Sequence, residues 1–424
     1  MWGRTRRNEV TIGLAPPGLG GTSDPGDSAR SQVFPNLGTA MLKDLEITGF
    51  RGFESLKIDH LGGVNLVLGK NGVGKTSLLE SLWLYSAPTN PVVIREILES
   101  REEFRVSTSG LTEVDLPALF FQRQSSRQLP FSCSIGPVDR DYQVQIRYEP
   151  MFSKKDMESL KSQGWLPSEV KRPIDGDAYP ALVIEAWGQT GILMPDAFKQ
   201  GLVRFSTDYN SAPFMRLSGE MDKRVASWWS TIALSDAEDR IIQMMQLIAP
   251  VERIAMVGPN ADEVASNRQR GGRFVIRLNG VGAPQPLKSL GDGAERLFRT
   301  ALSIEFSRHQ AAMEKEVDQL NSTSAHPHPP GWCVLLDEVD VGLHYSVLED
   351  YWDSLFGLAH ELGVQVFATT HSRECIEAFQ KAALRRTDVD GVAIRLERSR
   401  DGIRAVTITE TDLTTVVESG IEIR

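Results

Sequence analysis

Residues 69–76 read Gly69-Lys70-Asn71-Gly72-Val73-Gly74-Lys75-Thr76, which fits the pattern G-x-x-x-x-G-K-[ST]. The segment follows the apolar run Val64–Leu68 and precedes a stretch from Ser77 with leucines at helical spacing. In such a strand–loop–helix unit, glycines let several backbone N–H groups point at one phosphate. The sequence therefore predicts a phosphate-binding loop between a buried strand and a helix.

Two side chains of this loop supply chemistry that the backbone lacks. The Lys75 ammonium can reach the β- and γ-phosphates of a nucleotide, and the Thr76 hydroxyl can ligate Mg²⁺. An accidental Gly-rich turn is the alternative interpretation, and the flanking strand and helix count against it. We therefore expect nucleotide binding by residues 69–77, with Thr76 as one ligand of Mg²⁺.

The segment Trp332-Cys333-Val334-Leu335-Leu336-Asp337-Glu338 is an apolar run that ends in two carboxylates. Such a run suits a parallel strand that is buried on both faces. Ligands bind at the carboxyl ends of parallel strands, so we expect Asp337 to face the metal and Glu338 to polarise the attacking water. An acidic pair that caps the next element is the alternative. The phosphate loop favours the first interpretation, a Walker B strand.

A third apolar run, from Val364 to Thr369, is followed by Thr370 and His371. If this run is a strand of the same sheet, His371 lies at the same edge as the phosphate loop. A histidine after a strand is often structural, but beside the two preceding motifs His371 is a candidate sensor of the γ-phosphate.

The turn Leu287-Lys288-Ser289-Leu290-Gly291-Asp292-Gly293 precedes another helical stretch. Free N–H groups at the start of a helix make such a turn a candidate anion site. Ordinary capping of the helix by Asp292 is the alternative, and spacing alone does not decide between them.

Composition limits the functional classes. The chain has 424 residues with 41% hydrophobic and 24% charged residues, and no apolar stretch is long enough to cross a bilayer. The formal net charge of −10 means that DNA contact requires a local basic patch. The three cysteines form no C-x-x-C pair, which argues against a zinc site and fits a reducing cytoplasm.

Four regions are expected along the chain. Residues 1–40 are rich in Gly, Pro, Ser and Arg and predict a disordered tail, with a transit peptide or a wrongly included upstream start as alternatives. Residues 41–150 are the half with the phosphate loop, residues 151–285 an inserted α+β or helical region, and residues 286–424 the half with the turn, the acidic strand and His371. A helical run is expected at 92–104, and the helical block 225–247 has aromatic and Met residues that suit a core.

This order of motifs resembles the ABC-type ATPase heads of RecF, SMC and OLD proteins. More narrowly, four segments are similar to the OLD-like AAA ATPases of bacterial anti-phage defence operons. These segments are Phe50-Arg51-Gly52-Phe53, the turn Ser289–Gly293, the stretch from Asp337 to Tyr345, and Thr369-Thr370-His371-Ser372. The implied fold is α/β, a P-loop ATPase head with a mixed parallel sheet, an antiparallel β lobe and an inserted helical region.

The resemblance also implies function and residue roles. Two subunits would sandwich ATP, with Gly69–Ser77 binding nucleotide, Thr76 and Asp337 holding Mg²⁺, Glu338 activating water and His371 sensing the γ-phosphate. Ser289, Gly291 and Gly293 would act on the nucleotide of the other copy. Implied partners are a second copy of the chain, a nuclease or TOPRIM effector acting in trans, and DNA, with RecF-like repair or an ATP-binding scaffold as alternatives to defence.

The chain departs from the ABC pattern in two places. Leu290-Gly291-Asp292-Gly293 replaces Leu-Ser-Gly-Gly and puts a carboxylate near an expected phosphate, so Asp292 is expected to cap its helix or to lie on the ribose side. The Q-loop glutamine is not placed, and Gln122 and Gln124 are only candidates. SMC-like heptad arms and a TOPRIM domain are not visible in the sequence, and Asp388-Val389-Asp390 is expected to be a polar loop.

Overall fold

A computed structural model describes residues 41–106, 112–123, 130–139, 142–153, 178–186, 189–193, 214–215, 223–258, 273–320, 333–400 and 402–408. The predicted tail 1–40 and the candidate Gln124 lie outside the described residues. No helix in these ranges is long and apolar enough to cross a membrane.

The described part of the chain contains both strands and α-helices. The strands are β1 (Leu45–Phe50), β2 (Phe53–Ile58), β3 (Val64–Leu68), β4 (Phe104–Val106), β5 (Thr112–Val114), β6 (Phe131–Gly136), β7 (Val144–Ser153), β8 (Ala178–Ala186), β9 (Gln189–Leu193), β10 (Phe214–Met215), β11 (Val251–Val257), β12 (Arg273–Leu278), β13 (Gln285–Pro286), β14 (Cys333–Leu336), β15 (Gln365–Thr369), β16 (Gly391–Ser399) and β17 (Gly402–Ile408). The α-helices are α1 (Lys75–Ser86), α2 (Pro91–Glu99), α3 (Lys223–Ile232), α4 (Asp236–Met245), α5 (Asp292–Leu320), α6 (Leu348–Leu362) and α7 (Arg373–Arg385).

The central sheet has the order β10-β14-β15-β3-β16-β17 and is parallel except for the last pair. All five residues of β3 are buried, because hydrophobic clusters cover both faces of the sheet. The register aligns Leu336 with Ala368 and Thr369 with Val67. The carboxyl ends of β3, β14 and β15 therefore meet at one edge, as predicted.

The antiparallel β lobe is a second sheet, with the order β2-β1-β6-β7-β8-β9. Together with the parallel sheet it confirms the predicted α/β fold with a mixed parallel sheet and an antiparallel lobe. The expected division at residue 150 falls inside β7, and β8 and β9 of the region 151–285 extend the same sheet. The rest of that region includes α3, α4 and the small sheet β11-β12-β13.

The two predicted helical segments have different outcomes. The run expected at 92–104 is too long, because α2 ends at Glu99 and Phe104 already belongs to β4, after a left-handed Glu102. The block 225–247 is confirmed as helical but is divided between α3 and α4 by exposed Leu234. Its aromatic and Met side chains are core residues, as expected: Trp228, Trp229, Met244 and Met245 are all buried. The expected polar loop at Asp388–Asp390 is also confirmed, since it lies between α7 and β16.

The buried Gln365 side chain forms hydrogen bonds with three backbone groups that precede the phosphate-loop strand β3 in sequence. Its amide donates to the carbonyls of Leu42 (2.9 Å) and Gly62 (2.8 Å) and accepts from the Leu42 N–H (3.1 Å). We expect Gln365→Met to lower the free energy of unfolding by about 2–4 kcal/mol, because these groups lose buried partners. Urea denaturation measures this, with exposed Gln243→Met as the control; equal loss in both variants would contradict it.

Candidate active site

The loop between β3 and α1 curls tightly, because its glycines adopt conformations closed to other residues. Gly69 has φ 137° and Gly74 has φ 117°. A Cβ at Gly69 would lie 2.6 Å from the Leu396 carbonyl oxygen, and one at Gly74 would lie 2.9 Å from the Phe53 ring. Only glycine fits both positions. The loop thus has the backbone cradle that a phosphate group requires.

Lys75 is buried at the first residue of α1 and points back into this loop. Its Nζ donates to the carbonyls of Gly69 (2.7 Å) and Lys70 (3.2 Å) and lies 3.3 Å from His371 Nδ1. Burial lowers the pKa of Lys75, and the carboxylates of Asp337 and Glu338 oppose this shift. All described hydrogen-bond partners of this ammonium are neutral groups. An incoming anion would therefore accept a charge-assisted hydrogen bond from Lys75.

Hydrogen bonds join the phosphate loop to the ends of β14 and β15. The Thr76 hydroxyl donates to Asp337 Oδ2 (3.0 Å), and the Thr369 hydroxyl donates to Asp337 Oδ1 (2.7 Å). Asp337 is 9% exposed and Thr369 is fully buried, so this arrangement is fixed by packing. Thr76 and Asp337, predicted from separate motifs, are direct neighbours.

Glu338 adopts a left-handed backbone conformation with φ 48°. Its N–H donates to the Thr369 hydroxyl (2.7 Å), and the N–H of Val339 donates to the Thr369 carbonyl (2.8 Å). The Glu338 side chain is about one-third exposed, with Oε1 3.9 Å from His371 Nε2. Strained backbone of this kind often occurs at functional sites, where neighbouring contacts hold it in place.

His371 lies between Lys75 and Glu338. Because an ammonium only donates, we assign His371 Nδ1 as the acceptor from Lys75 and place the ring proton on Nε2, which faces Glu338. Burial, and then the Lys75 charge, lower the pKa of His371 below its ordinary value of 6.5. The ring is therefore neutral at neutral pH and offers an N–H donor on the side of Glu338.

The predicted signature turn forms no described hydrogen bond to the phosphate loop of its own chain. Ser289 and Gly291 are exposed, and a Cβ at Gly291 would meet nothing within 4 Å. In the described part of the chain, no hydrogen bond joins Ser289, Gly291 or Gly293 to the phosphate loop. Asp292 is the exposed first residue of α5, where its charge favours the positive end of the helix. One chain therefore does not bring this turn to its own phosphate loop by direct bonding.

The structure shows contacts that the sequence motifs did not predict. Thr369 bridges Asp337 and Glu338, and the Thr370 hydroxyl donates to Asp340 Oδ1. Arg101 Nη2 donates to the Ser77 hydroxyl (3.1 Å), and Arg296 binds the backbone beside Glu338. A weak signal was present for Arg296, because a cation near the start of a helix opposes the helix dipole. The candidate Gln122 is exposed and left-handed, with φ 60°.

The residues present fit one Mg²⁺ ion bound together with nucleotide. In the described ranges, no group of three or more His, Cys, Asp or Glu side chains could hold a metal by itself. Mg²⁺ at nucleotide sites needs only one or two protein oxygen ligands, since phosphates and waters complete its shell. The Thr76 hydroxyl and the Asp337 carboxylate are oxygen donors of this kind, and their oxygens lie 3.0 Å apart.

Comparison with known proteins gives three informative relatives. The DNA double-strand break repair Rad50 ATPase of Archaeoglobus fulgidus is 36% identical over 70 residues, which are 16% of this chain and 7% of Rad50. The Septu protein PtuA of Bacillus thuringiensis is 50% identical over 42 residues, 10% of this chain and 11% of PtuA. An ATP/GTP phosphatase of Helicobacter pylori is 20% identical over 359 residues, 80% of this chain and 87% of that protein.

The first two matches are short segments of their proteins, and the third is long but distant. A family profile, in contrast, matches residues 64–377, which is well over half of the chain and includes the phosphate loop, Asp337, Glu338 and His371. These matches confirm the resemblance to RecF-like ABC-type AAA ATPases. The chain therefore belongs to the family described as "AAA domain, putative AbiEii toxin, Type IV TA system".

Proposed function

We propose that this chain is an Mg²⁺-dependent ATPase of the OLD/RecF-like class. The main observation that supports this proposal is the hydrogen bond from Thr76 of the phosphate loop to Asp337 at the end of β14. Glu338 and His371 lie beside this hydrogen bond. In this proposal, the groups at this edge of the sheet supply what nucleoside triphosphate hydrolysis requires: a phosphate cradle, a cation, a pair of metal ligands and a base.

Each residue has a definite task in this proposal. The N–H groups of residues 69–77 bind and orient the phosphates. The Lys75 ammonium exchanges its hydrogen bonds to the loop carbonyls for hydrogen bonds to the phosphate oxygens. Mg²⁺, when bound by Thr76 and Asp337, screens phosphate charge. Glu338 accepts a proton from the water that attacks the γ-phosphorus, while the bond from that phosphorus to the β-phosphate oxygen breaks and ADP leaves. The Nε2–H group of His371 donates a hydrogen bond to the γ-phosphate.

A second copy of the chain completes this site in our proposal. The turn at Ser289, Gly291 and Gly293 forms no described hydrogen bond to the phosphate loop of its own chain, and the backbone N–H groups at the start of α5 suit an anion. Apposition of two heads would place this turn on the partner's nucleotide. ATP binding would then drive head-to-head dimerisation, and hydrolysis would release it.

The biological role that we propose is anti-phage defence, in which dimerisation controls a partner effector such as a nuclease or TOPRIM protein. The family description names a toxin of a toxin–antitoxin system, and PtuA belongs to Septu. A nuclease or TOPRIM gene beside this one would support the proposal. Replication genes in that position would favour repair instead.

A RecF-like role in DNA repair is the second candidate, because one relative is a double-strand break repair ATPase. It predicts DNA affinity that requires ATP and falls with added salt. Absence of DNA binding at low salt would exclude it. Undetectable ATP turnover both with and without DNA would favour a non-hydrolysing scaffold over either role.

Lys75→Met tests the nucleotide assignment. We expect about a 10- to 100-fold weaker affinity for ATP, because the phosphates lose a charge-assisted donor worth about 1.5–3 kcal/mol. Calorimetric titration with ATP and Mg²⁺ measures this. Lys57→Met, at a half-exposed lysine paired with Asp59, is the matched control. Equal ATP affinity in the Lys75 variant and in the control would refute the site.

A further inference from the structure

The Arg296 side chain links α5 to the backbone at Glu338. Its Nη2 donates to the carbonyl oxygen of Asp337 and, at 2.5 Å, to that of Glu338. Among the ion pairs of the described residues, Arg296 has none. A guanidinium that donates to two consecutive carbonyls restrains the backbone at those two residues, because the guanidinium group is planar and its donor directions are rigid.

The Glu338 conformation requires such support. A left-handed non-glycine residue costs about 1–3 kcal/mol and persists only where its surroundings over-determine it. Thr369 holds the N–H groups of Glu338 and Val339, and Arg296 holds the carbonyl of Glu338. The peptide groups on both sides of Glu338 are therefore fixed from opposite elements, β15 and α5.

A second contact joins the same two segments. Gly293, in the exposed turn, packs against Gly342, four residues after Glu338. A Cβ at Gly293 would lie 2.2 Å from the Gly342 carbonyl oxygen, so no side chain fits there. The turn and the loop that follows Glu338 therefore touch backbone to backbone, independently of Arg296.

We propose that Arg296 is a positioning residue that makes the placement of Glu338 depend on the turn Ser289–Gly293. The inference rests on the proposed function and adds a regulatory element to it. A nucleotide or partner copy that engages the turn shifts the start of α5, and Arg296 carries this shift to the two carbonyls. Glu338 is then aligned for water activation only when the turn is engaged.

Arg296→Met and Arg296→Lys test this role, with Arg308→Met as the control. Arg308 lies on the same helix, is about half exposed and, among the ion pairs of the described residues, has one 4.0 Å contact with Glu305. We expect Arg296→Met to lower kcat for ATP about 10- to 100-fold, the effect of a misplaced catalytic group, while the Kd for ATP stays within threefold. Arg296→Lys should lie between the two, because an ammonium retains a donor without the fork.

Turnover is normalised to the number of ATP-binding sites, so a partly unfolded sample does not mimic the effect. Equal kcat for Arg296→Met and Arg308→Met would overturn the proposal and leave the ATPase assignment intact. A loss of ATP affinity equal to the loss of kcat would also overturn it, since that shows a merely structural role. Absence of turnover in the unaltered chain would remove the ATPase function, and this role with it.

Discussion

Glu338→Gln is expected to lower kcat for ATP hydrolysis at least about 100-fold while leaving ATP affinity within about threefold of the unaltered chain. The amide keeps the size of the side chain but is a poor acceptor for the proton of the attacking water. Removal of a general base typically costs about 10²- to 10⁴-fold in rate. The Lys75 ammonium and the glycine cradle, which bind the phosphates, are not altered.

Single-turnover hydrolysis and equilibrium binding of ATP measure the two quantities separately. Glu349→Gln is the control, because Glu349 is a partly exposed carboxylate whose partners are Lys381 and Arg385 on α7. The unhydrolysed nucleotide should also hold the Glu338→Gln chain in an ATP-bound dimer. Hydrolysis by Glu338→Gln at the rate of the unaltered chain would refute the role of Glu338.

Arg51→Met is expected to have the largest effect on stability, with a loss of about 3–5 kcal/mol in the free energy of unfolding. Arg51 Nη1 donates to Glu103 at 3.0 Å, and its Nε lies 2.8 Å from Glu80, though not aligned as a hydrogen bond. The side chains of Glu80 and Glu103 are 1% and 2% exposed. Removing the cation leaves each buried carboxylate with one arginine partner among the described ion pairs, Arg101 for Glu80 and Arg123 for Glu103. Losing a partner of a buried charge is more costly than losing an exposed pair.

Guanidinium denaturation of Arg51→Met and Arg147→Met provides the comparison. Arg147 is also an arginine on the antiparallel lobe, but its partners Glu149 and Glu185 are partly exposed. We expect less than about 1 kcal/mol for that control. A loss of similar size in both variants would show that the buried charges around Arg51 do not hold the lobe to α1 and α2.

The site residues that could be predicted from the sequence are those that directly follow short buried strands. Thr76, Asp337 and His371 could be placed together because the carboxyl ends of parallel strands share an edge, whatever the distance between them in sequence. These predictions rest on local patterns combined with one general rule of sheet topology.

Other features could not be read in this way. Arg296 binds backbone carbonyls about forty positions away, and a contact to the main chain leaves no complementary residue in the sequence. Thr369 acts through its hydroxyl, but in sequence it only ends an apolar run. The helix expected at 92–104 ends at Glu99, the chain turns at left-handed Glu102, and Glu103 pairs with Arg51, a residue distant in sequence.

Complementation between two inactive variants tests most directly whether each site needs residues from two copies. Lys75→Met removes the phosphate cation, and Ser289→Arg places a bulky charge on the exposed turn without touching the core. Each variant alone should hydrolyse little ATP. Mixed dimers have one site with both parts intact, so an equimolar mixture should recover up to about a quarter of the turnover of the unaltered chain. A mixture no more active than the sum of its two components would contradict the composite site.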